Sequence, residues 1–172
     1  MNINSNSVNN KQNNNLLVKE FFIFNRNNTC LFHLDFTEIN SIDNNSDGQF
    51  ILQNKAVNQA SDKKLENRYK LIYGLLFSMR TFVKKVSINK DNEVFKNFST
   101  SDYKLHYLEL INGLRFILIT TPTKASYINN LKEIFRFYYN PLISNNSFVD
   151  KDAYITSDVF INSSVKYLKT LI

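Results

Sequence analysis

The chain has 172 residues, a formal net charge of +6 and a hydrophobic content of 43%. This length fits one domain, and 15 Phe and 9 Tyr are enough for a packed interior, which excludes a wholly disordered protein. Lys and Arg occur singly or in pairs such as Lys63-Lys64, so the sequence holds no polybasic arm and we expect no nucleic-acid partner.

The cysteine content and the N-terminus indicate the compartment. A single cysteine, Cys30, excludes an internal disulfide framework. Residues 1–15 have neither a basic start nor an apolar core, as a signal peptide would, and no apolar stretch approaches the roughly 18 residues that span a bilayer. We therefore expect a soluble cytosolic protein in which two Asn-rich segments, residues 1–15 and about 38–63, are disordered.

The first predicted elements are two strands joined by a tight turn. Residues 21–24 are Phe-Phe-Ile-Phe, and a strand that is apolar on both faces is a central strand covered by helices on either side. Asn27-Asn28 supplies side chains that tolerate positive φ in a turn. In the second strand, residues 29–36, alternation places Cys30 and His33 on opposite faces and gives the wetter pattern of a strand near an edge.

A long amphipathic helix is predicted over residues 65–87, where the hydrophobic period changes from two to 3.6. Its apolar stripe contains Ile72, Leu75, Leu76, Met79, Val83 and Val86. Gly74 lies inside this helix, where glycine costs about 1 kcal/mol relative to alanine. We therefore expect the helix to approach the sheet closely at Gly74.

Three more strands and two helices complete the pattern. The strands are predicted over residues 95–99, 103–110 and 114–121, with Asn112-Gly113 as a hairpin signal and the last strand in the middle of the sheet. The helices are predicted over residues 126–142 and 156–171. The order β-β-α-β-β-β-α-α predicts an α/β (α+β) domain over residues 16–172, with a mixed, mainly antiparallel five-stranded sheet between helices.

Catalytic, cofactor and metal motifs are missing from the sequence. The three glycines are not spaced for a phosphate-binding loop, and Cys30 and His33 on opposite faces make a poor metal pair. His106 lies in a strand-like run, where a packed or surface histidine is more common than a general base. We predict no catalytic residue, cofactor or metal, and keep a small hydrolase or ligand-binding protein using His106 as the alternative.

Three segments resemble a known family. Residues 69–85, Tyr-Lys-Leu-Ile-Tyr-Gly-Leu-Leu-Phe-Ser-Met-Arg-Thr-Phe-Val-Lys-Lys, closely resemble the first helix of the subunit 1 family of the transport protein particle (TRAPP) complex. Residues 100–107 resemble that family's strand hairpin, and residues 22–26 with Cys30-Leu31 resemble its first hairpin. The Asn-rich tail and the insertion at about 38–63 depart from the family pattern.

The resemblance implies a longin (sedlin-like) fold and a non-catalytic core subunit of the TRAPP vesicle-tethering complex. Its partners would be a second longin-like subunit, α/β subunits and, through the complex, a Rab-family GTPase whose nucleotide is exchanged in transport from the endoplasmic reticulum to the Golgi. The protein would be cytoplasmic, and it would reach the cis-Golgi and endoplasmic reticulum membranes only through the complex.

The resemblance also implies contact residues on the first helix, namely Tyr69, Tyr73, Arg80 and Lys84. Tyr69 and Tyr73 could equally be partly buried against the sheet. Another longin role, as an adaptor small chain or a SNARE regulatory domain, remains open; a SNARE would need a heptad segment and an anchor after the domain, where the sequence stops at Ile172.

Overall fold

The computed structural model describes residues 17–36, 59–87, 94–144 and 152–171. Its elements in chain order are β1 (Val18–Phe24), β2 (Cys30–Asp35), α1 (Gln59–Val86), β3 (Asn97–Ser99), β4 (Lys104–Glu109), β5 (Arg115–Thr120), α2 (Ile128–Ile134), a π-helical stretch (Phe135–Tyr139), α3 (Asn140–Ser144) and α4 (Asp158–Lys169). Because α2, the π-helical stretch and α3 follow one another without a break, they form the single helix predicted there. The predicted element order is therefore confirmed.

The sheet has the strand order β2-β1-β5-β4-β3, and each pairing between neighbouring strands is antiparallel. The predicted fold class is confirmed, but the parallel pair that a mixed sheet implies is not present among the described strands. The helical crossover from β2 to β3 does connect two strands that run in the same direction. These strands lie at opposite edges with three others between them, so they do not pair.

Two hydrophobic cores lie on the two faces of the sheet. Phe21 and Ile23 of β1 point into the first core, beneath the C-terminal helices, whereas Phe22 and Phe24 point into the second core, beneath α1. The central strand β5 divides its side chains in the same way. This arrangement confirms the prediction that the unbroken apolar runs of β1 and β5 are covered on both faces.

Both predicted turns contain a residue with positive φ. Asn28 in the β1–β2 turn has φ 67°, and Gly113 in the β4–β5 turn has φ 80°. At Gly113 the N–H donates to the carbonyl of Leu110 (2.9 Å), and a Cβ there would lie 2.7 Å from Cβ of Arg26. The glycine is thus required both by its backbone conformation and by the packing of the neighbouring turn.

A β-bulge in β2 corrects the prediction that Cys30 and His33 lie on opposite faces. Ile23 pairs with Phe32 while Phe24 pairs with Cys30, so Leu31 is the extra residue. An extra residue reverses the alternation beyond it. Cys30 and His33 consequently share the face of α1, where Cys30 packs into the second core and the ring of His33 stacks on Phe22 at 4.3 Å.

Helix α1 differs from its prediction in two respects. It begins at Gln59, so the last residues of the insertion predicted at about 38–63 belong to the helix. Gly74 is on the exposed side, where an added Cβ would meet no atom within 4 Å, so the predicted close approach to the sheet is wrong. Residues 38–58 of the insertion and the tail of residues 1–15 lie outside the described residues.

Candidate partner-binding surface

The inner side of α1 covers the second core. Ile72 and Leu76 are buried there, and Tyr69, Leu75, Met79 and Val83 pack around them against β1, β4 and β5. These residues recur at intervals of three and four, which places them on one side of the helix. The apolar stripe predicted from the sequence is therefore the side that holds α1 on the sheet, except for Val86, which is exposed.

The outer side of α1 carries large apolar side chains that the domain leaves uncovered. The exposed fractions are 69% for Leu71, 58% for Phe77, 60% for Phe82 and 62% for Val86. Leu71, Phe82 and Val86 lie on one flank of the helix and Phe77 on the other. Single exposed apolar residues are ordinary, but several large ones on the same helix are typical of a protein–protein contact surface. Sequence reasoning missed Leu71, Phe77 and Phe82, although their positions off the buried stripe are a signal that a helical projection would have detected.

Tyr69 lies on the core side of this surface. Its ring makes edge-to-face contacts with Phe22 and Phe24, with centroids 6.3 and 6.2 Å apart. Its hydroxyl oxygen is 3.5 Å from Nδ1 of His33 and also hydrogen-bonds the thiol of Cys30, whose pKa is raised by burial to about 12. Tyr69 thus joins α1 to β1 and β2, and most of its contacts are made within the domain.

Arg80 is also committed to the domain's own sheet. Its guanidinium lies 2.7 Å from the carboxylate of Glu109, which is 3.2 Å from Arg115 on the neighbouring strand. The other two predicted contact residues remain available: Tyr73 is half-buried beside Phe77, with ring centroids 6.3 Å apart, and Lys84 is exposed. Of the four predicted contact residues, Tyr69 and Arg80 therefore hold α1 on the sheet, whereas Tyr73 and Lys84 face outward.

A polar network joins the N-terminal half of α1 to β1. The carboxylate of Glu20 pairs with Arg68 and lies 3.3 Å from Nε2 of His33. Burial raises the pKa of Glu20, but hydrogen bonds from His33 and Arg68 outweigh this effect and leave the pKa below its usual value. This network holds the N-terminal half of α1 against β1. A cleft opens beside this half of the helix.

The cleft lies between α1 and the adjacent ends of β1, β4 and β5, and its volume is about 330 Å³. Its lining residues are Lys19, Glu20, Arg68, Leu71, Ile72, Leu75, Tyr103 and Ile119. The lining thus combines an apolar interior with charged groups at the rim. This cleft was not predicted, because its residues come from segments far apart in the sequence.

The structure provides no support for catalysis by His106. This side chain is fully buried, its Nδ1 accepts from the backbone N–H of Tyr127 (3.4 Å), and its Nε2 is 3.3 Å from the hydroxyl of Thr120. Burial, with a smaller effect of Lys104, lowers its pKa to about 4. Both ring nitrogens are occupied away from the cleft, so His106 is a packed structural residue.

The described ranges hold neither a cluster of metal ligands nor a helix that could span a membrane. Residues 17–36, 59–87, 94–144 and 152–171 contain no group of three or more His, Cys, Asp or Glu arranged to hold a metal ion. In the same part of the chain, no helix combines the length and apolar character needed to cross a bilayer.

The fold and the exposed side of α1 define a class, an α+β domain of the longin type with a surface suited to protein–protein contact. Comparison with known proteins gives the family: the model of the Sybindin-like family matches residues 18–171. The chain belongs to this family, and the resemblance to the TRAPP subunit 1 family is thereby confirmed.

Several relatives carry names from that complex. The chain is 26% identical over 157 residues to trafficking protein particle complex subunit 1 of Dictyostelium discoideum, covering 90% of this chain and 96% of the relative. It is 28% identical over 156 residues to the Homo sapiens protein of the same name, covering 91% and 94%. It is also 28% identical over 129 residues to trafficking protein particle complex subunit BET5 of Saccharomyces cerevisiae, covering 75% and 73%.

Proposed function

We propose that this protein is a non-catalytic core subunit of a TRAPP vesicle-tethering complex and that the outer side of α1 binds its partner subunits. The observation that carries the proposal is the exposure of Leu71, Phe77, Phe82 and Val86 on one helix. On the opposite side of the sheet, α2, the π-helical stretch and α4 expose fewer large apolar residues, chiefly Phe137 and Val159. The names of the relatives support the same assignment.

The kinds of side chain that α1 exposes fit such a role. Standard interfaces bury about 800 Å² per partner, and their centres are enriched in aromatic residues with charged residues at the rim. Phe77 and Tyr73 supply aromatic side chains, and Lys84 lies about two turns beyond Phe77 on the same flank. Tyr69 and Arg80 contribute by holding this flank in place through the second core and Glu109.

Affinity purification of the tagged full-length chain from its native source tests the proposal. We expect mass spectrometry to identify other small longin-like and α/β subunits with the wild-type chain. The double variant Phe77→Ser, Lys84→Glu should lose at least one of them, whereas Phe137→Ser, a matched change on the other side of the sheet, should retain them all. Recovery of none of these subunits with the wild-type chain would refute the proposal.

The proposal extends to the activity of the assembled complex. We propose that the assembly catalyses nucleotide exchange on a Rab-family GTPase in transport from the endoplasmic reticulum to the Golgi, and that it associates with both membranes only peripherally. The isolated chain should not accelerate release of fluorescent GDP from the GTPase, whereas the assembly should. Equal rates with the assembly and with no protein would contradict this part of the proposal.

A further inference from the structure

We infer that the cleft beside the N-terminal half of α1 holds a short segment of a partner protein, which places a large apolar side chain inside the cleft and a carboxylate beside Lys19. This inference rests on the proposed function, because it requires that partner chains cover α1. It adds a defined pocket and the chemistry of the segment that fills it.

The apolar part of the cleft explains why a side chain would enter. Ile72 and Ile119 form buried walls, Leu75 is half-buried, and Leu71 stands at the rim with 69% of its surface exposed. An apolar side chain that filled this space would remove Leu71 from water, and burial of apolar area stabilises a contact by about 25 cal/mol per Å². Anchors that fill pockets of this kind carry most of the binding energy at interfaces.

The charged residues at the rim of the cleft favour a negatively charged group on the partner segment. The amino group of Lys19 donates to the backbone carbonyl of Asp102 at 2.8 Å, and no carboxylate of the described residues lies within 4.0 Å of it. The positive charge of Arg68 is already balanced by Glu20. Among the residues that the structure describes, Lys19 thus has no ion-pair partner at the cleft, and a partner's carboxylate beside it would form a charge-assisted hydrogen bond.

The surroundings of the cleft favour a protein segment as its occupant. Leu71, Phe82 and Val86 lie along one flank of α1, because their spacings of 11 and 4 residues are close to whole helical turns. All three are exposed, so apolar side chains recur along this flank from the cleft to the C-terminal end of the helix. A partner that covered this flank would reach the cleft with an adjoining segment.

Site-specific photo-cross-linking in the assembled complex tests the inference. The photoreactive residue p-benzoylphenylalanine replaces Leu71 in the tagged full-length chain, and a matched chain carries it in place of Phe137. We expect the first chain to cross-link to a peptide of another subunit with Asp or Glu within two residues of the attached apolar residue, and the second chain not to do so. A lipid adduct, an adduct with this chain itself, or no adduct in an intact complex would overturn the inference and leave the proposed function standing.

A peptide titration tests the same chemistry without the complex. The probes are fluorescein-labelled Gly-Asp-Leu-Phe-Asp-Gly and its counterpart with Lys in place of Asp, added to the full-length chain and followed by fluorescence anisotropy. We expect at least tenfold tighter binding of the acidic peptide, loss of that preference in Lys19→Glu, and its retention in the control Lys132→Glu. Leu71→Ser, which changes an exposed residue, should weaken binding of both peptides. Equal affinities in the wild-type chain, or no effect of Lys19→Glu, would refute the inference.

Discussion

His106 shows how burial converts a titratable side chain into a structural one. The ring is enclosed by Thr120 and Tyr127, and its Nδ1 must stay unprotonated to accept the N–H of Tyr127 at the start of the helix that follows. Protonation would remove that acceptor and place a charge close to Lys104. The contacts that occupy both ring nitrogens of His106 therefore make the stability of the fold dependent on pH.

We predict that the free energy of unfolding falls as the pH is lowered from about 6.5, the usual pKa of histidine, towards the folded pKa of about 4. The unfolded chain binds the proton more readily in this window, so stability is lost as the pH decreases, by about 2 kcal/mol between pH 7 and pH 5. Urea unfolding at pH 7 and at pH 5 measures this loss of unfolding free energy. His106→Gln should flatten this dependence whatever its own stability, and an unchanged dependence would contradict the assignment.

Protonation of the Glu20 carboxylate lowers the stability of the fold at a lower pH than protonation of His106 does. Its folded pKa lies below 4.5, so the stability from its contacts with Arg68 and His33 is present above that value and is lost below it. The two groups therefore act in successive windows as the pH falls. An unfolding series that extends from pH 7 to pH 3 would separate the two contributions.

Tyr69 and Tyr73 provide a test of which tyrosine holds α1 on the sheet. Tyr69→Ala should cost about 3 kcal/mol of stability, because it removes a ring packed among Phe22, Phe24 and His33. Tyr73→Ala is the matched control and should cost less than about 1 kcal/mol, because its ring contacts only Phe77 among the described aromatic pairs. Chemical denaturation measures both, and equal losses would show that the two roles are misassigned.

At the scale of the element, the two turns and the bulge show how single residues direct a strand. The hairpin signals at Asn27-Asn28 and Asn112-Gly113 are local in sequence, and both turns formed where they were predicted. The bulge at Leu31 carries no comparable local signal, because it arises from the pairing of β2 with β1. One extra residue there moved Cys30 and His33 onto the same face and brought both into contact with Tyr69.

Gly74 and Gly113 should respond in opposite ways to alanine. At Gly74 the added methyl group meets open space on an exposed helical position, so Gly74→Ala should stabilise the fold by about 1 kcal/mol. At Gly113 the φ of 80° and the position of Arg26 oppose a side chain, so Gly113→Ala should destabilise it by about 1–3 kcal/mol. Thermal unfolding of the two variants measures both changes. A loss of stability in Gly74→Ala would contradict the exposed position of Gly74 and indicate that α1 approaches the sheet closely there.

At the scale of the whole molecule, the distribution of exposed apolar area separates the two sides of the sheet. The π-helical stretch and α4 expose Phe137 and Val159, whereas α1 exposes Leu71, Phe77, Phe82 and Val86 on two flanks and borders the cleft. Surfaces of this kind self-associate when their partner is missing. The purified chain, which lacks a partner to cover these residues, is therefore expected to self-associate.

We predict that the purified chain self-associates as its concentration rises and that the triple variant Leu71→Ser, Phe77→Ser, Phe82→Ser remains monomeric. The three side chains are exposed, so the variant should unfold within a few degrees of the wild type. Sedimentation velocity measures the association, and differential scanning calorimetry measures the unfolding temperature. Self-association that persisted in the variant would show that copies of the chain associate through another surface.

The sequence by itself determined the element order, the covered central strands, the two turns and the resemblance to a family. These features depend on periodicity and on turn residues, which are properties of neighbouring positions. Only the tertiary structure decided that Arg80 pairs with Glu109, that Gly74 faces outward, and that Lys19 and Leu71 meet at one cleft. The physical reason is that pairing register and helix orientation are set by contacts between segments far apart in the chain, which no local pattern encodes.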